Sequence, residues 1–179
     1  LFAKNEKRGI LMRRELVETI KESTKVLFLN FETTLKTCDM DYVLCDMPIW
    51  KHCYHTLHSL DQWFINPYEY TEPPFHEDKL NSLNYLGEKV LSRDELTDYF
   101  KTIQVKLLAY LDSLNDEDLY EIPKGCKYNR LEHVLGQFRH FHCHMGNINA
   151  TTIVTTNQWP RVVGTYALDK DFVFPGLYE

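Results

Sequence analysis

A chain of 179 residues with 44% hydrophobic and 26% charged side chains has the balance of a folded protein with a sizeable core, which argues against disorder. A formal charge of −6 argues against nucleic acid as a partner, because holding a phosphate backbone generally needs a basic face. No apolar run reaches the roughly 20 residues of a membrane span, and the opening Leu1–Arg14 carries no signal-peptide core, so the cytoplasm is the default expectation.

In chain order, the first predicted helix runs from about Leu11 to Leu35, with Leu16, Ile20, Leu27 and Phe31 at helical spacing. The Cys38–Met47 connection reads as loop. Pro48 suits a first helical turn, where its missing N–H costs nothing, and opens a second helix to about Ile65, stopped by Asn66-Pro67. A polar, proline-bearing connection from Tyr68 to Leu91 is long enough to cross a bundle or cover one end, and connections of that length are often functional. Ser92 with Glu95 forms a capping box for a third helix carrying Leu96, Phe100, Ile103, Leu107, Tyr110 and Leu114. After a turn at Pro123-Lys124-Gly125, Asn129 with Glu132 resembles a weaker cap for a fourth helix to about Thr155. An irregular aromatic tail follows, expected to pack over the helices. No alternation is long enough to argue for a sheet. The expectation is an all-α four-helix bundle with one long crossover connection, a single domain over 1–179 with its bundle at about 11–155 and its tail at 156–179.

Five cysteines, Cys38, Cys45, Cys53, Cys126 and Cys143, have no paired spacing and read as reduced thiols. The sequon at Asn149-Ala150-Thr151 falls in a predicted helix and reads as chance.

The histidines are distributed unevenly. Of eight, His52, His55 and His58 lie in the second helix and His133, His140, His142 and His144 in the fourth, while His76 stands apart in the long loop. His140 and His144 differ by about 40° around the helix and lie about 6 Å apart along it, so both imidazoles can grip one ion. His142 points to another face, and His133 is about two turns away. The metalloprotease reading fails because Phe141, not Glu, follows the first histidine. A third ligand has to come from another helix, and the second offers three. Its apolar stripe of Ile49, Cys53, Leu57, Leu60 and Phe64 leaves His55 and His58 on the polar side, with His52 nearest the stripe, so periodicity alone leans slightly to His52.

Two segments resemble the DinB-like (DinB/YfiT) four-helix-bundle metalloproteins. Pro48–Leu57, followed by Asp61 and Trp63, looks like the family's second helix, with the metal histidine at the position of His55. Arg139–Ile148 is similar to its fourth helix and the R-H-x-x-x-H-x-G-x-[IL] pattern, with Asn147 where the family usually has Gln or Glu. The resemblance implies His55, His140 and His144 as ligands. On that reading His52 and His58 are flanking solvated or hydrogen-bonded histidines, Asp61 and Gln62 are helix surface, and Tyr54 and Trp63 are packing.

Three neutral imidazoles leave a divalent ion its full charge and an open position, the arrangement of catalytic rather than structural sites. The expected cofactor is a divalent metal, zinc or nickel first and iron or manganese next. No catalytic side chain is assigned. The expected activity is a low-molecular-weight-thiol-dependent S-transfer or a hydrolysis of a small molecule. The competing expectation is a non-catalytic bundle that binds metal, a small molecule or a partner, with a fourth side chain, His58 or His76, closing the ligand sphere. A spare apolar stripe and the aromatic tail would also suit a homodimer.

Overall fold

The computed structural model describes residues 13–179, so the expected helix start at Leu11 lies outside the described residues. Helix α1 (Glu15–Thr37) has no side-chain cap of its own at Arg14. Its first free N–H groups, at Leu16 and Val17, are taken instead by the carboxylate of Asp116, at 3.2 and 2.9 Å. At its other end the Arg93 guanidinium donates to the carbonyls of Leu35 and Cys38.

The Cys38–Met47 connection is not all loop. Val43–Leu44 (β1) and Met47–Pro48 (β2) pair antiparallel, joined by Cys45 and Asp46 at φ +49° and +65°. Both turn residues occupy the left-handed region, as a type I′ hairpin requires, but neither is the Asn or Gly that normally announces one. Pro48 belongs to this hairpin and precedes the helix as its N-cap, rather than sitting in the first turn as expected.

Helix α2 (Ile49–Trp63) buries its predicted stripe completely and much of its other side too, including Lys51, Tyr54 and Thr56. The long connection covers that second side. Lys51, driven into the interior, keeps its ammonium hydrogen-bonded by donating to the carbonyls of Leu80 and Leu86 on that connection, at 3.0 and 3.1 Å. Burial pulls its pKa below the ordinary lysine range.

Helix α3 (Arg93–Asp112) opens on the Ser92/Glu95 capping box and stops before Leu114, which is buried beyond the helix end. Helix α4 (Arg130–Thr156) opens on Asn129 and Glu132, which make both bonds of a full capping box. It closes on Asn157 in the left-handed conformation. Short 3₁₀ turns lie at Asp118–Tyr120 and Thr165–Leu168. Among the described residues the protein is all-α apart from the two-residue strands. Helix α1 packs on α3 and α4, and α2 packs on the same two, around one core in which Phe31 meets both Phe100 and Phe141. The tail is held to α1 where the buried Asn30 side chain both donates to and accepts from the backbone of Val163. Among the described residues no helix is long and apolar enough to cross a membrane.

Candidate metal centre

Helices α2 and α4 run antiparallel, and their seam is a ladder of polar rungs. Trp63 O accepts from His133 Nδ1–H at 3.1 Å, Ser59 Oγ–H donates to Gln137 Oε1 at 3.3 Å, and His55 Nε2 lies 3.3 Å from His140 Nε2. Positions 55, 59 and 63 recur every four residues, and positions 133, 137, 140 and 144 every three or four, so each set lines one helix face. His144 completes the top rung, its ring 4.7 Å from that of His55 and 4.5 Å from that of His140.

The three histidines are half-buried, and each offers a ring nitrogen within 4.8 Å of the others. His55 Nδ1 lies 2.8 Å from the carbonyl of Asn81, which can only accept. Nδ1 therefore carries the proton, and the neutral ring keeps its lone pair at Nε2, aimed at His140. Two nitrogens bonded to one tetrahedral zinc at about 2.0–2.1 Å stand about 3.3–3.4 Å apart, the separation seen between His55 and His140.

The electrostatics agree with that geometry. Burial lowers the pKa of His55, and burial together with the neighbouring His55 lowers that of His140. His144 is pushed down to about 4, first by burial and then by the other two histidines. Near neutral pH all three are uncharged, the state that binds a cation. His140 Nδ1 and His144 Nδ1 are buried without a hydrogen-bond partner, so the ring nitrogens of this group are not committed to other protein groups. The donor set fits a divalent ion.

The other predicted residues are placed as follows. His52, which periodicity favoured slightly, is buried and donates from Nε2 to the carbonyl of Leu44 at 2.9 Å, away from the three-histidine group. His142 is exposed and bonded to the carbonyl of Phe138, and Cys143 is an exposed thiol. All five cysteines are free. His58 and His76 do not close the three-histidine sphere, because both gather instead on Glu72. Asp61 is not helix surface: it is 7% exposed and accepts from Tyr99 Oη–H at 2.9 Å and Lys106 Nζ at 2.6 Å, both brought by α3. Trp63 is not packing: it is 43% exposed and lines a cavity of about 570 Å³ with Tyr128, His133 and Arg139. Tyr54 is fully buried.

Asn81, in the long connection, is the residue that sequence reasoning missed. Its carbonyl orients His55, and its side-chain nitrogen lies 3.2 Å from His58 Nδ1. No motif marks a residue that acts through its backbone. Compared with models of known protein families, with curated proteins and with solved structures, the chain matches none of them.

Proposed function

We propose that the chain is a divalent-metal-dependent enzyme of the DinB-like kind, with His55, His140 and His144 holding the ion. Its reaction is the transfer of a low-molecular-weight thiol or the hydrolysis of a small molecule. The observation that carries this reading is the convergence of three half-buried imidazoles, with His55 Nε2 and His140 Nε2 3.3 Å apart. When bound, the ion would supply a Lewis acid with an open position, able to acidify a water or hold a thiolate.

The chain's own groups prepare that position. Asn81 holds the proton of His55 on Nδ1, so Nε2 always presents its lone pair. Burial keeps all three rings unprotonated at neutral pH. Helices rather than loops carry the ligands, which limits their drift. Among the described residues no fourth histidine, cysteine or carboxylate joins the group, which favours the open catalytic sphere over the closed structural one.

The test is metal analysis followed by cobalt substitution. The untagged protein should take up zinc or nickel at this site, and His140→Ala with His144→Ala should abolish that uptake. Cobalt-loaded protein should develop a sulfur-to-metal charge-transfer band when titrated with a small thiol. No uptake attributable to these histidines would sink the metal reading. Uptake with no change on adding thiol would leave hydrolysis as the reaction.

A further inference from the structure

Three residues outside the proposed centre, His58, Glu72 and His76, converge on one point. His58 on α2 lies 2.7 Å through Nε2 from Glu72 Oε2, and His76 Nδ1 lies 3.7 Å from the same oxygen. The two imidazole rings stack at 4.9 Å with 29° between their planes. Each of the three residues offers a donor atom within 4.8 Å of the other two.

The arrangement is built into the fold. The Pro73-Pro74 turn, closed by the N–H of His76 on the carbonyl of Pro73 at 2.8 Å, folds the connection back so that Glu72 and His76 meet one residue of α2. Phe75, between them, packs against Tyr54 and Tyr99 and anchors the turn to the core. His58 is 2% exposed and Tyr54 is fully buried beneath the group.

Among the described residues no lysine or arginine pairs with Glu72, whose ion-pair partners are these two histidines. The nearby lysines are engaged elsewhere, Lys106 with Asp61 and Lys89 with Glu77 and the carbonyl of Phe75.

We propose that His58 Nε2, His76 Nδ1 and Glu72 Oε2 form a second divalent-cation site, for a first-row ion such as zinc or iron(II). Two histidines and a carboxylate are a donor set of open zinc centres and of iron(II) oxygenases, and the carboxylate cancels one charge that the three-histidine centre leaves in place. The present spacings of 2.7 and 3.7 Å bracket the roughly 3.3–3.4 Å expected around an ion with bonds near 2.0–2.1 Å. Loading moves the proton of neutral His58 from Nε2 to Nδ1, where the Asn81 amide accepts it once turned so that Oδ1 faces the ring. It also displaces the Tyr54 hydroxyl from His76 Nδ1, now 2.7 Å away. Asn81 touches both centres, through its carbonyl at His55 and its side chain at His58.

The experiment is equilibrium dialysis of chelator-stripped, untagged full chain against zinc, with metal counted by mass spectrometry and folding followed by circular dichroism. Wild type should bind two equivalents. His140→Ala/His144→Ala should keep one, Glu72→Gln/His76→Asn should keep the other, and the quadruple variant should keep none. Glu72→Gln alone replaces a partly exposed side chain without changing its shape, and should weaken one of the two zinc sites by tenfold or more in competition with a chromophoric chelator. Zinc uptake unaffected by Glu72→Gln and by Glu72→Gln/His76→Asn overturns the second site. Loss of all zinc in His140→Ala/His144→Ala overturns it as well. A single equivalent that vanishes in Glu72→Gln/His76→Asn but survives His140→Ala/His144→Ala supports this site and fails the three-histidine one.

Discussion

Asn81 controls the direction of a proton it does not own. Because its carbonyl can only accept, His55 is fixed as the Nδ1–H tautomer with Nε2 free, whatever the pH above its own titration. Burial and mutual repulsion add the second control, lowering all three seam histidines, with His144 at about 4. The unfolded chain binds protons at these positions as pH falls below about 6.5, whereas the folded chain binds them only at lower pH, near 4 for His144, so the metal-free protein loses stability as pH falls through that window. With a chelator present, the urea midpoint should therefore drop between pH 7.5 and pH 5. His144→Gln, which removes the most strongly shifted group, should drop less over the same range. An equal or rising midpoint at pH 5 would show that these rings are not held neutral by the fold.

At the scale of elements, the α2–α4 seam shows why one stripe can mislead. The apolar stripe of α2 was legible and is fully buried, yet it says nothing about a second buried face. That face exists because the long connection covers it, burying Lys51 and His58. Asp61 was read as surface for the same reason: its partners Tyr99 and Lys106 lie about forty residues away on α3. Gly146 is a further element-scale case. It is exposed, has helical backbone, and has nothing within 4 Å of where a Cβ would stand, so no close approach requires it. Gly146→Ala should stabilise α4 by about 0.5–1 kcal/mol through helix propensity and leave zinc uptake unchanged. Calorimetry and dialysis check both halves, and a loss of zinc would show that the site needs this position open.

Across the whole molecule, ends of elements are closed by residues from other elements. Asp116 caps the start of α1, Arg93 donates to the carbonyls of Leu35 and Cys38 at its end, and Arg14 donates to the carbonyls of Asp112 and Leu114 at the end of α3. The tail is fastened in the same manner by Asn30, whose amide makes paired bonds of 3.0 and 2.8 Å with the Val163 backbone. Asn30→Ala would leave a buried N–H and C=O unpaired, a cost of about 2–3 kcal/mol. The melting temperature should fall by several degrees, at about 2–4 °C per kcal/mol for a chain of this size. An unchanged melting temperature would mean that the tail is held by other contacts.

Four helices, both capping boxes and the pair His140/His144 were determined by local sequence, because helical periodicity, caps and i, i+4 spacing are properties of a few adjacent residues. The hairpin escaped because Cys45-Asp46 adopts a turn that these residues seldom signal. His55 with His140, Asn81 with His55, and His58 with Glu72 and His76 were decided only by tertiary structure. Each joins residues on different elements, and their meeting depends on how α2 docks on α4 and how the Pro73-Pro74 turn folds the connection back. Docking of that kind is set by the packing of whole faces, which no short stretch of sequence contains.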